Sequence, residues 1–185
     1  MNTKKLALSA VLSAMGVVFL TAGSLIEVLD LSAAAIAGFA IVIAVIELQG
    51  YYPVLMYFAI SILSVLILPN KYPAVFFIFF GGFYPIFKAY IERFHIIVAW
   101  VVKFSMFNVF LGFMILAINF LMNKGFLPPL GDIEDYYLSG FLENIKIIVF
   151  VVANFMFLLY DIAMTRIINL YIIKIRKIIG LKNYF

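Results

Sequence analysis

Three observations predict an all-α, polytopic membrane protein with six transmembrane helices. Of the 185 residues, 67% are hydrophobic and 12% charged, against roughly 45–50% apolar and about 25% charged in a soluble domain. The apolar residues form long continuous runs, not the alternating segments of about ten residues that build a membrane β-barrel. The charges fall mainly between those runs. A span takes about 20 residues to cross roughly 30 Å of hydrocarbon. The 185 residues are therefore expected to hold six spans in a single membrane domain, with no room for a separate catalytic domain.

The first span is expected over 6–26, after Lys4 and Lys5. Its apolar run exceeds the typical signal-peptide core of about 7–15 residues, and no clear cleavage site follows, so it reads as a retained helix. Glu27 and Asp30 close it. The second span covers 31–46 and is closed by Glu47, Gln49 and Gly50. The third covers 51–68 and stops at Pro69-Asn70-Lys71, a turn signal. The fourth covers 72–87 and contains Gly81, Gly82 and Pro85; the polar stretch 88–95 after it reads as interfacial. The fifth covers 96–122, long enough to tilt. A polar stretch over 123–144 carries Asp132, Glu134 and Asp135, and the sixth span covers 145–168 before a basic tail.

Charge sets the orientation. With the first residue inside, ten of 13 Lys and Arg residues fall on the inner side and six of nine Asp and Glu residues on the outer side. Lys and Arg near span ends mark the cytoplasmic side. Both termini are therefore expected in the cytoplasm of a cell membrane. The net charge of +4 follows this topology and gives no reason to expect nucleic acid.

Few residues are left to carry chemistry. There is no cysteine and a single histidine, His95, so thiol catalysis, disulfides and the usual metal sites are not expected, nor is a cofactor. No phosphate-binding glycine loop, zinc-protease motif or nucleophile elbow is present, and the chain reads as a non-enzyme. Two small-residue stripes stand out: Ala7, Ala10 and Ala14 in the first helix, and Ala33, Ala37, Ala40 and Ala44 in the second. Small residues let helix backbones approach closely in lipid, where no hydrophobic effect draws helices together. Each stripe fits packing within the chain or docking to another membrane subunit. Lys103 and Asp161 lie within apolar spans, where an unpaired charge costs at least about 2.5–3.5 kcal/mol. Asp161 is expected to pair with Lys103, or more loosely with Arg166. On the outer side, Lys71, Tyr72, Asp132, Glu134 and Asp135 read either as interfacial belt residues or as the wall of a small-molecule pocket, and Asn119 either as a structural amide or as a pocket residue.

The run Lys4-Lys5-Leu6-Ala7-Leu8-Ser9-Ala10-Val11-Leu12-Ser13-Ala14, within a short six-helix chain lacking its own ATPase, resembles the substrate-binding S components of energy-coupling factor (ECF) transporters. In that family an Ala-x-x-x-Ala pattern on the first helix contacts a transmembrane coupling subunit; Ala10-x-x-x-Ala14 matches it. The resemblance implies capture of a vitamin-like small molecule at the outer side. It also implies two cytoplasmic ATPases on other chains. A second reading is a membrane scaffold similar to the cell-shape factor MreD, which acts by binding other membrane proteins. The segments Gly82–Lys88 and Tyr160–Arg166 are distinctive but carry no assigned role.

Overall fold

The computed structural model describes residues 3–48, 50–124 and 139–175, and every regular element among them is helical. The chain divides into two compact units, Met1–Pro128 and Pro129–Phe185. In the first unit α1 (Thr3–Ser24) is followed by a single 3-10 turn (Glu27–Leu29) and α2 (Asp30–Glu47). Then come α3 (Tyr52–Ile67), α4 (Tyr72–Phe76), a π-helical turn (Phe77–Gly81), α5 (Phe83–Ile91) and α6 (Ile96–Asn123). The second unit contains α7 (Ser139–Leu170), which ends in a π-helical turn (Tyr171–Ile175).

All six expected spans are helical, with ends shifted by a few residues. Five helical stretches are long and apolar enough to cross a membrane: Thr3–Ser24, Asp30–Glu47, Tyr72–Ile91, Ile96–Leu121 and Phe150–Lys174. The sixth, α3, has only 16 residues. At 1.5 Å per residue it is about 24 Å long, short of roughly 30 Å of hydrocarbon. The fourth span continues beyond the predicted end at 87, to Ile91. The extension holds because Lys88 turns inward and is buried.

The polarity of the first unit is inverted relative to a soluble protein. Leu55, Phe58, Ile62 and Leu66 of α3 are exposed, whereas Ser61 and Ser64 of the same helix are buried. On α1, Val11, Met15 and Val18 face outward while Ser9, Gly16 and Ser24 face inward. Water would penalise these exposed faces heavily; hydrocarbon does not. The inward hydroxyls of three serines are satisfied locally. Ser9 donates to the Leu6 carbonyl, Ser24 to Thr21 and Ser64 to Ser61, so no polar hydrogen of these residues needs a partner on another helix.

Helix α2 is the hub. It packs against α1, α3, α4, the π-helical turn and α5. Its stripe Ala33, Ala37, Ala40 and Ala44 is entirely buried, and so are Ala34 and Gly38. Intrachain packing therefore absorbs the second alanine stripe. A crossing of backbone against backbone is made with Gly81, where a Cβ on Gly38 would stand 2.4 Å from the Gly81 carbonyl oxygen. The local sequence explains why that carbonyl is available. Pro85 has no N–H to return to the residue four positions back, which is Gly81. The helix widens just before, with Gly82 N–H bonding to the Phe77 carbonyl at 2.7 Å. Tyr57 of α3 donates to the Ile78 carbonyl in the same turn at 3.0 Å. A wide turn of this kind marks a local departure from regular helix that neighbouring groups must satisfy.

Candidate functional site

The first unit has two chemically distinct ends. At one end lie the start of α1, the end of α2, the start of α3 and the junction of α5 with α6. The link between α1 and α2 is direct: Lys5 Nζ donates to the Leu48 carbonyl at 3.3 Å. The opposite end holds the α1–α2 turn and the loop from α3 to α4. There Asn70 donates to Asp30 at 3.4 Å and accepts from the Tyr72 backbone N–H at 3.1 Å.

The first end contains a charged cluster that includes Lys88, Glu92 and Lys103. Lys88 sits four positions before Glu92, so a helical turn brings them onto one side. Lys103 comes from the early part of α6. Both ammonium groups reach the same oxygen, Glu92 Oε1, at 2.8 Å. The Lys88 side chain is 1% exposed and that of Lys103 5%, while the Glu92 side chain is 43% exposed. The arrangement thus buries two cations around a carboxylate that retains contact with the surroundings. Ring faces add to it: Lys103 Nζ lies 5.3 Å from the Trp100 centroid and Lys88 Nζ 5.9 Å from that of Tyr84. Glu92 lies between the apolar segments Tyr72–Ile91 and Ile96–Leu121. Burial pushes its carboxyl up, but hydrogen bonds from Lys103 and Lys88, with their charges, outweigh burial and hold it below its ordinary value of 4.5.

The sequence does not announce this cluster as a unit. Lys88 and Glu92 read as part of an interfacial stretch, and Lys103 as a partner for Asp161. The i, i+4 spacing of Lys88 and Glu92 is the available signal. Nothing in the sequence specifies the crossing of α5 and α6 that adds Lys103. Asp161 is in α7, in the second unit, and its backbone carbonyl accepts from Thr165 Oγ1 at 2.9 Å.

The other predicted residues fall as follows. Lys71 and Tyr72 stand together at the start of α4, and Lys71 Nζ donates to the Leu68 carbonyl. That bond closes the turn after α3. Asn119 is exposed near the end of α6. Asp132, Glu134 and Asp135 lie outside the described residues. Ala7, Ala10 and Ala14 are all exposed on α1, on the side away from Ser9, Leu12, Gly16 and Leu20. Among the described residues no group of three or more His, Cys, Asp or Glu side chains is placed to hold a metal ion.

Comparison with known proteins gives no matching family model, no matching curated protein and no matching solved structure.

Proposed function

We propose that the chain is a non-enzymatic, membrane-embedded substrate-binding subunit of an ECF-type importer for a vitamin-like small molecule. It crosses the cell membrane six times with both termini in the cytoplasm. It docks through α1 to a coupling subunit that is driven by two ATPases on other chains. The observation carrying this reading is the exposed face of Ala7, Ala10 and Ala14. The similar stripe on α2 is spent on internal packing, whereas that on α1 is available to another helix. The sixth span rests on α3, whose outward face of Leu55, Phe58, Ile62 and Leu66 suits lipid despite its shortness. A bilayer accommodates a short span by local thinning at modest cost.

The test is co-purification with a co-expressed ECF coupling subunit. Ala10→Trp combined with Ala14→Trp places two indoles on the docking face without touching the packed face. The expected result is an inserted, folded protein that no longer co-purifies. Undiminished co-purification removes the assignment. One observation favours the scaffold reading similar to MreD: the Lys71 ammonium is engaged by a turn carbonyl, that of Leu68. Mass spectrometry of gently released small molecules separates the two. A bound vitamin-like compound supports transport; none, together with a stable protein partner, supports scaffolding.

A further inference from the structure

A cleft of about 200 Å³ opens at the basic end of the first unit, between the α2–α3 turn and α5. Its walls include Val45, Pro53, Val54 and Ile86, and its rim carries Tyr90 and Arg93. The turn that shapes one side passes through Gly50, at φ 61°, a left-handed conformation that glycine adopts without strain. The opposite rim is the last turn of α5. Arg93 is exposed, and its guanidinium lies over the Tyr90 ring at 5.5 Å.

The charge of Arg93 is left over by the geometry around it. The adjacent carboxylate, Glu92, is turned to Lys88 and Lys103, both 2.8 Å from one oxygen. Among the described residues no carboxylate pairs with Arg93. The site therefore offers apolar walls with a planar five-donor cation at the mouth. A guanidinium of this kind matches phosphate oxygens. Its place at the ends of apolar helices, on the side where Lys and Arg gather, puts it at headgroup depth. The partial negative charge at the end of α5 opposes an anion near the backbone, so the anion belongs on the outer side of the guanidinium.

We propose that this cleft binds one anionic phospholipid of the surrounding membrane, with its phosphate on Arg93 and the first part of an acyl chain against Val45, Val54 and Ile86. The inference does not depend on the transport reading, because it uses neither the outer rim nor the α1 face.

The test is native mass spectrometry of the full chain released from nanodiscs of equal phosphatidylglycerol and phosphatidylcholine. Wild type is expected to retain one phosphatidylglycerol in preference to phosphatidylcholine. Arg93→Gln should weaken that retention roughly fivefold, the factor for one basic side chain at an anionic membrane surface. Because Arg93 is exposed, this change removes the guanidinium without disturbing buried packing. Ala89→Trp, which fills the cleft and leaves the cation in place, should reduce retention as well. Inorganic phosphate at millimolar concentration should not displace the lipid, since it gains nothing from the apolar walls. Equal retention of both lipids, unchanged retention in Arg93→Gln or in Ala89→Trp, or full displacement by phosphate would each overturn the proposal.

Discussion

The crossing of α2 over the π-helical turn gives the most exacting prediction, because it brings backbone against backbone. A Cβ added at Gly81 would stand 2.4 Å from the Ala34 carbonyl oxygen and 2.9 Å from its carbon. One added at Gly38 would stand 2.4 Å from the Gly81 oxygen and 3.1 Å from its carbon. Ordinary contact begins near 3.4 Å, so each substitution by alanine forces the two segments apart by roughly 1 Å. A gap of that size forfeits about a quarter to a half of each dispersion contact, which is worth about 0.1–0.2 kcal/mol per atom pair. A patch with the roughly 40–60 pairs of one buried side chain then loses about 1–6 kcal/mol. Partial relaxation brings the expectation to about 2 kcal/mol for each single variant, inside the usual range for overpacking. Both variants separate the same two backbones, so Gly38→Ala with Gly81→Ala should cost clearly less than the sum. Unfolding by sodium dodecyl sulfate in mixed micelles measures this, read by the single tryptophan, Trp100. Gly112→Ala on α6 is the control: nothing lies within 4 Å of its added Cβ. It should be neutral or stabilising by up to about 1 kcal/mol. A cost below about 0.5 kcal/mol for either crossing variant, or strict additivity of the pair, would refute the close-approach argument.

Two further predictions concern the charged end and the shortest span. Glu92 is held below its ordinary value of 4.5, so its contribution to stability is present above that pH and disappears as pH falls through the lowered folded value. Wild type should therefore melt at a higher temperature than Glu92→Gln at pH 7, and the two should converge as the medium is acidified below that folded value; the gap is moderated by the exposure of Glu92. Parallel melting curves across that range would sink the role given to the carboxylate. Because the chain has no cysteine, Tyr51→Cys and Asn70→Cys each introduce a unique thiol at one end of α3. An impermeant maleimide added outside intact cells should label position 70 and spare position 51; the same outcome at both positions would show that α3 does not cross the membrane.

The helical framework was legible because it depends on length and hydropathy, which each segment carries by itself. The starts and ends of α2, α3 and α6 fall close to the expected bounds, since turn residues and charges punctuate them. The fourth span was less legible. Its polar end, Lys88, looks like a residue leaving the membrane, and only packing reveals that it is buried. The Lys88–Glu92–Lys103 cluster has the same origin: one pair is local, while the third member depends on how α5 meets α6. The predicted ligand contacts were legible only as a set of residue types, and Asp132, Glu134 and Asp135 of that set lie outside the described residues.

The two alanine stripes show why spacing alone does not identify a docking face. In sequence they are equivalent, small residues three and four apart. In the structure α2 meets complementary small partners: Ala34 and Gly38 face Gly81, and an added Cβ at Gly23 would lie 2.2 Å from the Ala33 Cβ. Close approach requires small residues on both surfaces, and the chain supplies both for α2. On α1 the inward face uses a different set, Ser9, Leu12, Gly16, Leu20 and Gly23, so Ala7, Ala10 and Ala14 are not needed to build the first unit. Their smallness stabilises nothing within that unit, and lipid chains gain no more from alanine than from leucine. A surface of that kind contributes only when a second helix with matching small residues arrives, so under the proposed docking tryptophan at positions 10 and 14 should spare folding and abolish assembly.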